Sequence, residues 1–203
     1  MKNQTIITIM LMVVAIVVAG YTAQFWPQSD RNNTVSETEE DAFPDPIVDG
    51  VINNMEYSNS TIEVGVEVYW YNNATHLFIG LNSPGKGWVA LGIDPKETHK
   101  GANYIFCNIS EGVVKVLDEF GDGRYSHKPD VSLGGENNVL DFMGNENSNR
   151  TLIEFIIPLN SGDEFDTELI HDLTYEALIA YHSSNDDITQ QHTNAGFIKI
   201  DIK

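Results

Sequence analysis

Loop histidines are the side chains in this sequence best suited to bind a metal. His99 follows an apolar stretch at residues 88–91, His182 ends a later apolar segment, and His192 precedes the last such segment. A neutral imidazole nitrogen is a strong ligand for iron or copper. We interpret the other three histidines as ordinary loop or surface side chains: His76, His127 and His171.

The sequence lacks the motifs of the common hydrolases. It contains no Gly-x-Ser-x-Gly, no His-Glu-x-x-His and no glycine-rich phosphate loop ahead of a helix. Cys107 is the single cysteine, so an intrachain disulfide, a cysteine-built zinc site and covalent haem attachment through Cys-x-x-Cys-His are all excluded. We expect Cys107 to be a buried thiol and the chain to have no catalytic activity of its own.

The charge of the chain is strongly negative. Eleven lysines and arginines face thirty aspartates and glutamates among 203 residues, which gives a net charge of −19. Nucleic acid is excluded as a partner, because phosphate binding needs a basic face. The 41% of hydrophobic residues is enough to build a sizeable core.

The first 46 residues are predicted to lie outside the folded domain. Residues 6–19 are apolar, so residues 1–23 are expected to be a signal peptide or an N-terminal membrane anchor, and the protein to be exported, either extracellular or at the cell surface. Tyr21 stands where a lipidated cysteine would be, so no lipid anchor is expected. Residues 24–46 resemble a disordered acidic linker. After residue 23, five Asn-x-Ser/Thr sequons fit a glycosylated surface: Asn32, Asn59, Asn73, Asn108 and Asn149.

Residues 47–203 have the pattern of an all-β domain. Apolar and polar residues alternate from Ile62 to Trp70, which predicts one strand. A hairpin is predicted around residues 110–112, and residues 121–138 are predicted to form a long loop. Short strands at this spacing, without a useful amphipathic helix, indicate an antiparallel sandwich or barrel.

Several of these segments together resemble one known family. Residues 87–95 followed by 99–103, then 151–159, then 180–187 with His192, have the order and spacing of a DOMON domain, and the resemblance covers about residues 47–202. The resemblance implies an antiparallel immunoglobulin-like β-sandwich that holds haem b or a sugar. A haem-binding member of the family carries its iron on a methionine and a histidine. The histidine falls on His192, and His99 stands in place of the methionine.

This departure leaves two alternatives, a bis-histidine haem site or a domain that has lost haem. Trp88 and Tyr104 would flank the porphyrin or stack on a sugar ring, although core packing also explains them. The first hypothesis is therefore an exported haem b domain that passes electrons to a redox partner protein or a membrane electron carrier. The alternative is a module that binds carbohydrate or another small ligand. A third and weaker idea is a copper or zinc site built from His182 and His192.

Asp186 and Asp187 are adjacent carboxylates in the last predicted loop. They could bind calcium, but a solvated turn is the favoured interpretation.

Overall fold

The computed structural model describes residues 43–203. The predicted signal or anchor segment at 1–23 and nearly all of the predicted linker lie outside the described residues. The described chain contains eleven strands and one short helix, in the order β1 (Asn59–Glu63), β2 (Val66–Asn72), β3 (His76–Pro84), β4 (Val89–Ile93), β5 (Asn103–Ser110), β6 (Val113–Gly123), β7 (Ser126–Pro129), α1 (Asp130–Leu133), β8 (Asp141–Glu146), β9 (Arg150–Pro158), β10 (Thr174–Tyr181) and β11 (Asn194–Asp201).

The strands form two antiparallel sheets. The five-stranded sheet has the order β1-β2-β3-β9-β8, and the six-stranded sheet has the order β11-β10-β4-β5-β6-β7. Within residues 43–203, no helix has the length and apolar character needed to cross a bilayer. The expectation of an all-β sandwich is confirmed.

The main core lies between the two sheets. It is built from alternate residues of each strand, because successive side chains of a strand point to opposite faces. In β4, Val89, Leu91 and Ile93 face this core, and Phe155 and Ile153 of β9 face it from the other sheet. Cys107 is fully buried in the same core, as expected from its apolar strand.

The prediction of a single strand from Ile62 to Trp70 is wrong, because the structure has a hairpin there. The chain turns at Val64 and Gly65, whose φ angles are 49° and 89°, and β1 then pairs with β2. A two-residue turn of this kind needs positive φ at both positions, which Gly65 adopts easily. Ile62 is consequently 67% exposed instead of joining the core.

The long loop predicted at residues 121–138 is also partly wrong. Strand β6 continues to Gly123, the chain reverses into β7, and the four-residue helix α1 follows. The predicted hairpin around residues 110–112 is confirmed, since β5 and β6 pair on either side of Glu111 and Gly112.

The outer face of the six-stranded sheet is apolar as well, which is unusual for a sandwich whose outer faces meet water. A second cluster of buried side chains covers it, separate from the main core, and consists of Trp88, Ala90, Ala102, Tyr104, Phe106, Leu178 and Ala180. An apolar face of this kind must be shielded from water, and three loops lie over it.

One predicted glycosylation site is not accessible in this fold. Asn108 is 6% exposed, and its side-chain amide donates a hydrogen bond to the carbonyl of Asp186 at 3.0 Å. The sequon at Asn32 lies outside the described residues.

Candidate functional site

A cavity of about 490 Å³ lies on the apolar outer face of the six-stranded sheet. Strands β4, β5 and β10 supply its floor, and the loops that follow β4, β6 and β10 supply its walls. The volume lies within the range of about 300–1,000 Å³ typical of pockets for small molecules and cofactors. Its lining residues are Trp88, Ala90, His99, Tyr104, Phe106, Tyr125, His127, Leu178, Ala180, Ile188, Thr189, Gln190, Gln191 and His192.

The floor of the pocket is aromatic. Phe106 lies at its centre, with ring centroids 5.4 Å from Trp88 and 5.5 Å from Tyr104. Gly92, beside Tyr104 in the pairing of β4 with β5, makes room for the tyrosine, because a Cβ at this position would overlap the Tyr104 ring. The floor is therefore apolar, and the position of the Tyr104 ring in it depends on this glycine.

One wall is the turn that carries His99. This turn is closed by hydrogen bonds between Glu97 and Lys100, in which each backbone N–H donates to the carbonyl of the other residue. The carbonyl of His99 packs directly on Gly121 of β6, where any Cβ would clash with it. The imidazole ring of His99 lies beside Tyr104, with 5.9 Å between the ring centroids.

The opposite wall is the loop between β10 and β11, which carries His192. The backbone N–H of Thr193 donates to the carbonyl of Tyr181 at 2.7 Å, and that of Trp88 donates to the carbonyl of Asn185 at 3.0 Å. These bonds fix both ends of the loop to the six-stranded sheet. The structure thus brings His99, His192, Trp88 and Tyr104, the four residues predicted from the sequence, into one pocket.

A third histidine reaches the pocket, and the sequence interpretation missed it. His127 on β7 stacks on Phe106, with ring centroids 4.3 Å apart and 26° between the ring planes. Its Nδ1 is bound to the carboxylate of Glu119, which is 3% exposed. Strand β7 was predicted as loop, and only its return along β6 carries His127 to the floor.

Burial and neighbouring histidines make the pocket unfavourable for positive charge. The pKa of His99 is lowered, first by desolvation and then by the proximity of His192 and His127. Its imidazole is therefore favoured in the neutral form, which is the form that binds a metal. Desolvation also raises the pKa of the Tyr104 hydroxyl, which stays protonated.

Two polar atoms of the floor have no hydrogen-bond partner within the described part of the chain. They are Nε1 of Trp88 and the hydroxyl of Tyr104, and both are fully buried. Unpaired buried donors are costly. The described residues therefore leave the hydrogen-bonding capacity of both atoms unused.

His182 does not line this pocket, although the predicted pairing of β10 and β11 exists. Its Nδ1 accepts hydrogen bonds from the backbone N–H groups of Ser184 at 3.2 Å and Asn185 at 3.0 Å. The Nδ1 of His182 therefore stabilises the conformation of the loop between β10 and β11.

Asp187 likewise serves a turn. Its carboxylate accepts hydrogen bonds from Thr189 and Gln190, which lower its pKa.

The comparisons with known proteins agree with this architecture. The family model of the DOMON domain matches residues 58–182, which is more than half of the chain, so the chain belongs to the DOMON domain family. A search of curated proteins found no match.

Among solved structures, the chain is similar to the cytochrome b domain of pyranose dehydrogenase from Coprinopsis cinerea, with a TM-score of 0.50 and 11% identity over 68% of this chain and 76% of that one. It is also similar to the cytochrome domain of Myriococcum thermophilum cellobiose dehydrogenase, with a TM-score of 0.44 and 12% identity over 71% of this chain and 88% of that one. At these identities the likeness concerns the fold.

Proposed function

We propose that this chain is an exported haem b-binding domain that transfers electrons, with His99 and His192 as the axial ligands. The observation that carries the proposal is the convergence of histidine side chains on one apolar pocket with an aromatic floor. His99 and His192 come from loops on different sides of this floor. A pair of neutral imidazoles is a good ligand set for haem iron.

The residues present fit a haem group. The floor formed by Trp88, Phe106 and Leu178 is apolar, as a porphyrin requires, and the buried hydroxyl of Tyr104 is free to donate a hydrogen bond. Bound haem would supply one-electron exchange at iron. The chain's own part is to exclude water, favour the neutral imidazole of His99 and offer both histidines as ligands.

Glu119 and His127 add an orienting pair to this site. A carboxylate on one ring nitrogen of a histidine fixes the tautomer and turns the other nitrogen outward. The Nδ1 of His127 is fixed in this way, so Nε2 is the nitrogen left for the pocket. His127 therefore competes with His99 and His192 as a ligand, and the experiment must separate the three.

Charge supports a role at the cell surface. The net charge of −19 suits docking to a basic redox partner. At the pocket, the guanidinium of Arg124 lies 5.5 Å from the ring centroid of Tyr125, a residue that lines the cavity. A cation there would pair with the carboxylates of haem.

The test is the visible spectrum of the full-length protein after loading with haemin and gel filtration. We expect a sharp Soret band, with split α and β bands on reduction, which indicates six-coordinate haem. His99→Ala and His192→Ala should each lose the six-coordinate spectrum. His76→Ala is the matched control, because its ring belongs to β3 of the five-stranded sheet and does not line the pocket.

The outcomes separate the possible assignments. If His127→Ala loses the spectrum and His99→Ala keeps it, the ligand pair proposed here is wrong. If no variant changes the spectrum, haem does not bind in this pocket. A bis-imidazole pair should also give a lower reduction potential than a methionine–histidine pair, because thioether ligation raises the potential.

One observation favours a second candidate function, the binding of a carbohydrate. The unpartnered Nε1 of Trp88 and hydroxyl of Tyr104 lie beside apolar ring faces, and a sugar presents hydroxyl groups and an apolar face to such residues. A glycan array with the full-length protein tests it. Binding that is lost in Trp88→Ala and kept in a double His99→Ala, His192→Ala variant would establish the sugar.

A further inference from the structure

We propose that Asp118, Asp130 and Asp166 form a calcium-binding site that is separate from the histidine pocket. One carboxylate oxygen from each residue lies within 4.8 Å of the others. Oxygens that share a calcium ion at about 2.4 Å cannot lie more than about 4.8 Å apart, so the cluster meets this geometric limit. The ligands are all oxygen, the type that hard cations prefer.

Three separate elements supply these carboxylates. Asp118 lies on β6, Asp130 begins α1, and Asp166 lies in the segment between β9 and β10. An ion bound here would tie the end of the six-stranded sheet to a segment without regular secondary structure. Asp118 lies beside Glu119 in β6, and adjacent residues of a strand face opposite sides, so the cluster and the histidine pocket occupy different faces.

The burial of this cluster is not balanced by any positive charge. Asp130 is 0% exposed and Asp118 is 5% exposed. In residues 43–203, no lysine or arginine forms an ion pair with Asp118, Asp130 or Asp166. Burying unpaired carboxylates costs several kcal/mol for each ion, and a divalent cation would remove that cost.

Three of the carboxylate oxygens in the cluster also lack hydrogen bonds. Both oxygens of Asp130 and Oδ1 of Asp118 are buried without a partner, and no hydrogen bond joins the three carboxyl groups within the described residues. Three buried oxygens of one cluster are therefore left without a hydrogen-bond donor, and a bound cation would give them a partner.

Asn103 provides an independent sign of a ligand. It is a neutral residue, 4% exposed, and its side-chain amide is directed at the cluster, since Nδ2 donates to Oδ1 of Asp166 at 2.7 Å. Its own carbonyl oxygen, Oδ1, is buried without a partner. The side-chain carbonyl of Asn138 is also buried without a partner, and the backbone N–H of Asn138 donates to Oδ2 of Asp118 at 2.7 Å. Side-chain amide carbonyls are common calcium ligands.

The experiment measures calcium binding to the full-length protein after treatment with a chelator. Equilibrium dialysis should give one calcium ion per chain. Thermal unfolding at about one hundredfold excess over the Kd should shift the Tm upward by roughly 5–10 °C relative to the chelated protein. The same concentration of magnesium should give a smaller shift, because magnesium requires stricter octahedral geometry at shorter distances.

Asp130→Asn is the decisive variant, because it has the same shape and removes one buried charge. It should weaken calcium binding at least tenfold. In chelator its Tm should be equal to or above that of the wild type, since a charge repulsion has been removed. That second readout shows that the variant is folded. The matched control is Asp141→Asn, an exposed carboxylate on β8, which should bind calcium like the wild type.

Three results would overturn the proposal. They are an absence of saturable calcium binding, a calcium-induced Tm shift that is unchanged in Asp130→Asn, and tighter binding of magnesium than of calcium. Because haemin plays no part in these measurements, their outcome does not depend on the function of the histidine pocket.

Discussion

Glu154 attaches the beginning of the domain to the five-stranded sheet, and its removal should release that segment. The side chain is 0% exposed on β9. Its Oε2 accepts hydrogen bonds from the backbone N–H groups of Gly50 at 2.8 Å, Val51 at 3.1 Å and Asp49 at 3.3 Å, and its Oε1 accepts one from the hydroxyl of Tyr57 at 2.8 Å. One carboxylate therefore holds four donors from residues 49–57.

The expected cost follows from the burial of these donors. In Glu154→Ala, the N–H of Gly50 and the hydroxyl of Tyr57 would be left buried without an acceptor, whereas water can reach the two donors nearer the surface. At about 1–3 kcal/mol for each buried unsatisfied donor, the free energy of unfolding should fall by about 4 kcal/mol. Glu154→Gln keeps an acceptor and the shape, so it should cost only about 1 kcal/mol.

Urea unfolding followed by far-ultraviolet circular dichroism measures both costs. Hydrogen exchange locates them, and exchange should accelerate at residues 49–57 before it accelerates in β9. Glu176→Ala, on an exposed strand position of β10, is the control and should change stability by less than about 1 kcal/mol. If Glu154→Ala costs no more than this control, or if residues 49–57 stay protected, the carboxylate does not anchor the segment.

Three further outcomes are expected. Burial raises the pKa of the Glu154 carboxyl above its ordinary 4.5, so the folded protein binds the carboxyl proton more tightly than the unfolded chain does. The free energy of unfolding should therefore fall as the pH rises from 4.5 through the folded pKa. The urea midpoint should show this fall in the wild type and a smaller fall in Glu154→Gln. Gly92→Ala should push the ring of Tyr104 into the pocket and weaken haemin affinity at least tenfold, measured by absorbance titration, while circular dichroism stays that of a folded sandwich. Phe155→Ala should lower the free energy of unfolding by about 3–5 kcal/mol. It should change haemin affinity by less than about threefold, because Phe155 faces the main core and not the pocket. A larger change in affinity would contradict the separation of the pocket from the main core.

The sandwich could be predicted from the sequence because its signals are local. Alternation, glycine positions and turn residues lie within a few residues of one another, and they identified most strands to within a few positions. The hairpin at Val64 and Gly65 was missed for a local reason as well. Alternation continues unbroken through the turn, and valine at a φ of 49° is a rare choice that hides it.

The site was only partly predictable. His99 and His192 were found through the resemblance to a family, which supplied their common location. His127 matches no part of that family pattern. The pairing of β7 with β6 brings His127 to Phe106, and this pairing has a register shift between Phe120 and Gly123 that no sequence pattern predicts.

The acidic cluster was missed because its members are far apart in the chain. Asp118, Asp130 and Asp166 come from three elements, and none of the three belongs to a recognisable metal-binding motif. The adjacent pair Asp186 and Asp187 is the more conspicuous acidic motif in the sequence. Only the packing of the connecting segment against β6 and α1 reveals which carboxylates share a location.

The placement of the pocket on an outer face has a consequence for how this domain can change over generations. The loops that carry His99 and His192 rest on the six-stranded sheet from outside, while the residues that keep the two sheets together lie on the opposite side of the same strands. Substitutions that alter the ligand can therefore accumulate without eroding the stability of the scaffold. A designer could exchange these loops in the same way, using the sandwich as a fixed frame for new ligands.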